Sequence, residues 1–551
     1  MSHNTIPVLS GQPAESDSLP RDQPQGAKAR GMARNLSIVG VAMIASRLLG
    51  LLREIVMANR FGTSSDYDAY VSAFRIPDLL FLVVMSGAFG SAFIPIFGSF
   101  LARGRKDDAD RLASAVITFT ALITIGLGLV AFAFADPIMR YVVAPDLAPD
   151  TMELAIRTMR VLLLSPILLG LGIAAKGILE AQSQFLLPAL APLIYNLAII
   201  IAALVLAPRY GIGGVTIGVI VGAALHVGIQ IPGLVSTGLR FRPTLSRQVA
   251  GLKDVGILLI PRMIGQAAFQ INFVAVNAFA ASAGEGRVSG LNYAWQMMML
   301  PNGVLALSIG TVLFPTMTKQ FELGQIVEMK STLLRALRAM TFLVVPASIV
   351  LLIFGTSIFQ TIFQTGNFTS QSTRLAAQPL ALLAGGLIFY SLVEVLARTF
   401  YAMKDTKTPV LAGIVIIVIN ITISWLVVER LGHVGLAMSL SISTMIEALI
   451  LLAVLRRRIG GFGSSFGVWL VKVIAAGAAM AVAAVAIRTR LEDLTSPGDI
   501  SRLSQLVILS VAGMLVVAVY GAAAWLLRVP EAVRPVASVD RKLRTLFRRN
   551  G

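Results

Sequence analysis

The chain has 551 residues, of which 56% are hydrophobic and only 13% charged, and its mean hydropathy is +0.81. A soluble protein would need roughly 25% charged residues to cover its surface, so much of this surface must face lipid. The sequence contains no cysteine and only three scattered histidines. It therefore excludes disulfides and predicts no metal site built from cysteine or histidine ligands.

Long apolar runs follow a polar N-terminal segment. Residues 1–31 are rich in Pro, Gly, Ser and Gln and predict a disordered cytoplasmic tail. The remainder predicts an all-α polytopic membrane protein with about 14 transmembrane helices, because each run is long enough to cross a bilayer. The runs lie near 36–58, 70–100, 112–135, 153–174, 186–207, 213–236, 255–280, 289–314, 339–357, 376–402, 409–428, 434–455, 468–487 and 504–528.

Basic residues are concentrated in alternate loops, and this sets the expected orientation. The loops on the side of the N-terminus carry clusters such as Arg103, Arg105 and Lys106, and the arginines of 456–458. The opposite side carries few, and its first large loop is acidic. Because cytoplasmic loops collect Lys and Arg, we expect both termini in the cytoplasm. The same asymmetry accounts for the net charge of +18, so no nucleic-acid partner is predicted.

Short motifs recur in the second half of the chain at a nearly constant spacing of six predicted helices. Residues 46–50 (SRLLG) return as 261–265 (PRMIG), and 210–214 (YGIGG) as 431–435 (LGHVG). An even number of helices keeps the orientation, so the halves are related by a pseudo-two-fold axis along the membrane normal. The predicted domains are an N-lobe (32–245), a C-lobe (246–458), two further helices (459–530) and a basic cytoplasmic tail (531–551).

The first predicted span contains three charged residues. Arg47 and Glu54 are seven residues apart and share one face, with Gly50 between them, whereas Arg53 points elsewhere. An arginine at mid-bilayer costs at least about 2.5–3.5 kcal/mol, so it must face a partner or water. One interpretation is an Arg47–Glu54 ion pair that locks the lobes together. The other is a cationic cavity for an anionic head group, in which Glu54 restrains one guanidinium.

The second span carries Arg75, Pro77 and Asp78. Proline in a helix frees a carbonyl and bends the axis, and residues three apart can pair along one face. The segment is therefore either a kinked structural helix with neutralised charges or the hinge of a gate.

Three more charged residues lie in the C-lobe. Arg262 is the repeat counterpart of Arg47, so the two are predicted to face one another across a shared cavity. Glu394 and Arg398 are four residues apart and predict a helical ion pair. No nucleotide-binding glycine loop is present, so energy must come from an ion gradient, the membrane potential or the substrate gradient. We expect no cofactor beyond such a coupling cation, and no enzymatic activity.

Three stretches resemble the MurJ/MviN family of lipid II flippases, within the multidrug/oligosaccharidyl-lipid/polysaccharide exporter superfamily. They are 46–54 (SRLLGLLRE), 68–80 with the following 86–95, and 398–409 (RTFYAMKDTKTP). The resemblance implies movement of an undecaprenyl-diphosphate-linked peptidoglycan precursor from the inner to the outer leaflet of the bacterial plasma membrane. It also implies a polyprenyl-diphosphate glycolipid and membrane lipids as partners, and we expect a monomer. By this resemblance, Arg47, Arg53 and Asp68 occupy positions that the family uses around its cavity.

The chain departs from the family pattern at two places. Phe81 and Leu82 stand where the family usually has arginines, and Gln296 stands near the expected arginine of the eighth span. We expect Arg75 and Arg262 to substitute, so both join Gln296 in the predicted substrate site. Three alternatives stay open: an exporter of another polyprenyl-linked glycan, a cation-coupled small-molecule exporter, and a non-transporting membrane scaffold.

Overall fold

A computed structural model describes residues 25–85, 93–494 and 501–533, and nearly all of these residues are helical. Within these ranges there is no β-strand, which confirms the all-α prediction. The first helix is described from Gln25 onward, so its first turns fall inside the segment 1–31 for which the sequence predicts a disordered tail. Ala27, Lys28, Ala29 and Arg30 are strong helix formers, and they extend the helix N-terminally beyond its apolar run.

The described part of the first half contains ten α helices and the π-helical turn Met139–Val143, and residues 86–92 lie outside the description. Short connections join the helices, and α6 with α7, like α9 with α10, forms one continuous candidate span. The helices are α1 (Gln25–Phe61), α2 (Ser65–Met85), α3 (Ile94–Ala102), α4 (Lys106–Ala133), α5 (Ala135–Ile138) with the π turn Met139–Val143, α6 (Pro149–Leu162), α7 (Leu164–Ala181), α8 (Leu186–Val205), α9 (Ala207–Gly228) and α10 (Ile231–Ser236).

The second half repeats the pattern with longer, less interrupted helices and then adds two more. These are α11 (Leu252–Ser282), α12 (Arg287–Glu322), α13 (Ile326–Ile358) with the π turn Phe359–Phe363, α14 (Ser370–Ala402), α15 (Lys407–Ile459), α16 (Ser464–Leu494) and α17 (Arg502–Leu526).

The backbone itself repeats between the two halves. Gly211 has φ 56° and ψ −140°, and Gly432 has φ 55° and ψ −144°. Only glycine adopts such a conformation without a steric penalty. Each glycine breaks a helical run at the recurring motif of 210–214 and 431–435, so the sequence repeat has a physical basis in a turn. The predicted domain boundaries themselves stay predictions.

Nine helices or helix pairs in the described ranges are long and apolar enough to cross a membrane by length and composition. One of them is α15, whose 53 residues contain the break at Gly432, whereas α1, α2, α11 and α12 are not among the nine. Large apolar side chains on these helices point outward, including Leu129, Trp425 and Met514, each more than 60% exposed. The chain is thus an integral membrane protein, and the count of fourteen spans stays a prediction.

The lobes contact each other mainly where α2 packs against α11 and α12, while α1 packs on α8 within its own lobe. Helices α16 and α17 lie on the outer side of α13 and share an apolar cluster with it. Arg338 of α13 lies over the rings of Phe466 and Trp469, at 5.9 and 5.7 Å, and joins α13 to α16. The surface between α1 and α12 is therefore the place where the lobes can enclose a site.

The crossing of α12 and α14 yields a stability prediction. A Cβ at Gly290 would lie 2.7 Å from the backbone oxygen of Leu375, so Gly290→Ala must push the two helices apart. We expect a destabilisation of about 1–3 kcal/mol, typical of overpacking, seen as a lower thermal unfolding midpoint in detergent. Gly98→Ala is the control, because its Cβ would meet nothing within 4 Å. Equal midpoints for the two variants would contradict the tight crossing.

Candidate functional site

A cavity of about 120 Å³ lies between α1 and α12. Five residues that the sequence singled out line it together: Arg47, Gly50, Arg53, Glu54 and Gln296. Tyr293 and Phe363 contribute aromatic walls, and Leu51, Met297 and Leu300 contribute apolar ones. The cavity thus combines two arginines and one acid with a largely apolar lining.

Glu54 pairs with Arg53 and not with Arg47. Its Oε1 lies 2.6 Å from Nη2 of Arg53, and its Oε2 accepts a hydrogen bond from the Tyr67 hydroxyl at 3.3 Å. Nη1 of Arg53 donates to Oδ1 of Asn196 on α8 at 3.1 Å. The predicted interpretation as an Arg47–Glu54 ion pair is therefore wrong. Helical spacing favoured that pair. In the fold, Asn196 orients the guanidinium of Arg53 and Tyr67 orients the carboxylate of Glu54, so these two groups meet.

Arg47 has no hydrogen bond or ion pair with any residue in the described ranges. It is half-buried, and its guanidinium lies at the cavity wall. Because Arg53 and Glu54 neutralise each other, the positive charge of Arg47 is the uncompensated charge among the described lining residues. A half-buried cation without a counter-ion must be satisfied by water or by an anion that binds beside it. The cavity therefore contains one cation whose hydrogen-bond donors no described residue occupies.

Arg75 lies outside this cavity lining and connects the lobes instead. Its Nε donates to Oδ1 of Asn277 on α11 at 2.9 Å. The amide of Asn277 donates in turn to Oγ of Ser72 and to the carbonyl of Val143, both at 3.0 Å. In the described ranges no ion pair joins Arg75 to Asp78, so the predicted pairing along α2 is not formed. Pro77 lies inside α2.

Asp68 was predicted to bind substrate, but its carboxylate caps the start of α12 in the other lobe. Its Oδ2 accepts from the Gly286 amide at 2.6 Å, and its Oδ1 accepts from the Ser289 amide at 2.8 Å. An acid at a helix N-terminus satisfies free amides and the helix dipole together. Glu285 makes the converse contact, because its Oε1 accepts from the Ser65 amide at the start of α2 at 3.2 Å.

Further bonds join the lobes at this end of the bundle, where α1 ends at Phe61. The Asn367 amide donates to the Asn59 carbonyl at 2.8 Å, and Nδ2 of Asn59 donates to Oγ1 of Thr365 at 2.8 Å. The Tyr293 hydroxyl donates to the Gly62 carbonyl at 3.1 Å. We call these contacts, with the caps of Asp68 and Glu285, the interlobe seal. Sequence reasoning missed Asn59, Asn367 and Glu285, and the glycines at 62 and 366 were the available signal.

An aromatic stack separates the interlobe seal from the cavity. The rings of Tyr67 and Tyr293 are stacked with centroids 5.2 Å apart, and Tyr67 is also stacked with Tyr70 at 5.8 Å. Phe368 meets Tyr293 edge-on at 5.4 Å. The rings come from both lobes and are buried, so they close the cavity on the Phe61 side.

Two more predicted residues lie away from the cavity. Arg398 and Glu394 form the predicted ion pair on α14, at 2.5 Å, which confirms it.

A residue of the loop before α15 forms another ion pair. Asp405 accepts hydrogen bonds from the amide and the hydroxyl of Thr408, and it pairs with Arg458 at 2.6 Å. Burial works to raise the pKa of Asp405, but the hydrogen bonds from Thr408 and the charge of Arg458 outweigh it and hold the pKa below its usual value.

Arg262 belongs to α11, but its side chain is outside the described residues, so its predicted position opposite Arg47 stays a prediction.

Two bundles of repeated helices around a cavity lined by Arg47, Arg53 and Glu54 define a two-lobed membrane transporter fold. A family model described as "Lipid II flippase MurJ" matches residues 57–506. The chain belongs to this family.

Relatives and solved structures agree with that assignment. The lipid II flippase MurJ of Burkholderia cenocepacia is 31% identical over 431 residues, covering 77% of this chain and 83% of the relative. A probable lipid II flippase MurJ of Rhizobium tropici is 30% identical, covering 78% and 81%. A solved structure titled "Lipid II flippase MurJ, inward closed conformation" has a TM-score of 0.71 and 25% identity, covering 88% and 98%. An inward-facing multidrug resistance MATE family transporter, with a TM-score of 0.65 and 17% identity over 78% and 98%, shares the fold.

The caps of the interlobe seal generate a prediction. Asp68→Ala removes two hydrogen bonds to an ionised acceptor, so we expect the seal to weaken by about 2 kcal/mol or more. The sequence has no cysteine, so spin labels can be placed at Ser64→Cys and Gln371→Cys, one on each lobe. Double electron–electron resonance should show a longer-distance population in the variant.

Asp66→Ala is the matched control, because Asp66 is an exposed acid of the same first helical turn, and its carboxylate has no hydrogen bond or ion pair with a described residue. An unchanged distance distribution for Asp68→Ala would show that its caps do not hold the lobes together.

Proposed function

We propose that this chain is a lipid II flippase of the bacterial inner membrane. It moves undecaprenyl-diphosphate-linked peptidoglycan precursor from the inner to the outer leaflet by alternating access, without ATP. Membership of the MurJ family supports the substrate class, and the uncompensated Arg47 in the cavity between the lobes is the observation that carries the proposal. A guanidinium fork matches phosphate oxygens in two parallel hydrogen bonds, which suits the diphosphate of the precursor.

The size of the cavity supports an alternating mechanism. At about 120 Å³ it has room for a group such as a diphosphate and not for a disaccharide–peptide head group. The lobes must therefore separate to admit the rest of the precursor. In this picture Arg47 binds the diphosphate, while Glu54 keeps Arg53 oriented in the cavity wall.

The orientation follows from the distribution of basic residues. With both termini in the cytoplasm, the Phe61 end of α1 lies on the outer side of the membrane. The interlobe seal is then the outer gate, and it is closed here. Release to the outer leaflet requires breaking the caps of Asp68 and Glu285 and the Asn59–Asn367 bond. A ligand shifts such an equilibrium only through its different affinity for the two states.

The net charge of the cavity offers an energy source. A positive charge that moves through the membrane field gains or loses about 2.3 kcal/mol per 100 mV. An inside-negative potential therefore draws the empty, positively charged site toward the cytoplasmic side. A bound diphosphate diester brings two negative charges to the single positive charge of Arg47, so the loaded site is net negative and the same potential favours its movement outward.

Arg47 provides the decisive test. Arg47→Ala should reduce lipid II flipping in proteoliposomes about tenfold to a hundredfold, the effect of losing hydrogen bonds between charged groups in a shielded site. The same variant should fail to complement cells depleted of their own lipid II flippase. Arg47→Lys keeps the charge without the fork, so we expect an intermediate rate.

Arg209→Ala is the control, since Arg209 is an exposed arginine that lies over Tyr210. Full flipping and complementation by Arg47→Ala would exclude Arg47 as the anion-binding residue. The same vesicles loaded with another polyprenyl-diphosphate-linked glycan would separate lipid II transport from the second candidate, which the neutral Gln296 favours.

The membrane potential provides a separate prediction. If the unpaired charge crosses about a third of the field, a potential of 100 mV should change the turnover rate about fourfold. A potassium diffusion potential imposed with valinomycin measures this directly, with vesicles at zero potential as the control. A turnover rate that does not depend on the potential would contradict the proposal that the potential returns the empty site to the cytoplasmic side.

A further inference from the structure

We propose that Gly303 of α12 is a positioning residue for Arg47, and that its missing side chain places the anion-binding guanidinium. This inference rests on the proposed function of Arg47 and deepens it. A Cβ built at Gly303 would lie 2.7 Å from Cζ and 2.8 Å from Nη2 of Arg47, and closer still to Nη1. The guanidinium thus occupies the space that any side chain at residue 303 would need.

The contact crosses the interface between the lobes, because Arg47 lies on α1 and Gly303 lies on α12. Neighbouring residues hold this stretch of α12 in place. Pro301 precedes it inside the helix, and Oδ1 of the buried Asn302 accepts a hydrogen bond from Ser391 of α14 at 2.8 Å. The surface on which the guanidinium lies is therefore fixed to the C-lobe.

Gly303 contributes shape without charge. Arg47 lies against it but makes no hydrogen bond or ion pair there with a described residue, so its donors remain available. An acidic or hydroxylated residue at this place would occupy those donors. A glycine lets the cation approach the helix closely while leaving its hydrogen-bonding capacity for an incoming anion. The position of the guanidinium is thus set by one lobe and its charge is carried by the other.

The structure also predicts how Gly303→Ala would affect folding and the position of the Arg47 guanidinium. The overlapping atoms are the far end of a flexible side chain and not the backbone of another helix, so the arginine can move away. Alanine is the better helix former. Gly303→Ala should therefore fold at least as well as the parent chain while displacing the guanidinium from its place. This separates it from Gly290→Ala, where backbone is overlapped.

The test measures binding of undecaprenyl diphosphate to the full chain in detergent, with undecaprenyl monophosphate as a comparison. We expect Gly303→Ala to weaken diphosphate binding about tenfold, with an unfolding midpoint that is unchanged or higher. The monophosphate should lose less, because it offers fewer oxygens to a correctly placed fork. Gly256→Ala is the matched control, a helix glycine whose Cβ would meet nothing within 4 Å.

A double-mutant cycle decides the mechanism. If Gly303 acts through Arg47, Gly303→Ala has no further effect on affinity in the Arg47→Ala background. Parent-like affinity of Gly303→Ala, or an equal loss with and without Arg47, would overturn the positioning role. The failure of the proposed function has a different signature: Arg47→Ala alone would then bind the diphosphate as tightly as the parent chain.

Discussion

The cost of holding charged groups away from water governs the interior of this protein. Every intramembrane charge must find an opposite charge, a set of hydrogen bonds or solvent. Arg53 is matched by Glu54 and Asn196, and Arg75 by Asn277 of the other lobe. Among the described residues of the cavity, only Arg47 is left without such a match. The exception lies in the cavity between α1 and α12, where the guanidinium of Arg47 is only half-buried.

The Phe61 end of the bundle is held together by contacts between the two lobes. At the Phe61 end, acids and amides from both lobes satisfy one another, and stacked tyrosines fill the space beneath them. Each such hydrogen bond contributes roughly 0.5–1.5 kcal/mol net, and more when an ionised acid accepts. The closed state is thus favoured by several kcal/mol at most. That is close to the energy of one charge in the field of an energised membrane, so modest forces can change the state.

Much of this organisation could be predicted from the sequence. Hydropathy predicted the helices, and the recurring motif around Gly211 and Gly432 predicted a repeat that the backbone angles display. The spacing of Arg47, Gly50 and Glu54 on α1 placed them in one site, and the cavity contains all three together with Arg53 and Gln296.

Pairing across the chain could not be predicted in the same way. Helical spacing assigned Glu54 to Arg47, but Asn196 of α8 decides which arginine is held. Asp68 was assigned to substrate, because nothing near it in sequence shows that the start of α12 lies against it in the fold. In both cases the deciding partner comes from a distant helix. The local sequence pattern identifies the charged residues, whereas the tertiary fold determines which of them have a partner.

The chemistry of the interlobe seal has a consequence for how the protein can vary. Its donors at residues 286 and 289 are main-chain amides, which every amino acid except proline supplies. The side chain at residue 286 is nevertheless constrained, because Gly286 has φ 76° and a Cβ there would lie 2.8 Å from the carbonyl oxygen of Thr63. Closure of the lobes in this form therefore depends on glycine at residue 286 as well as on the carboxylate of Asp68.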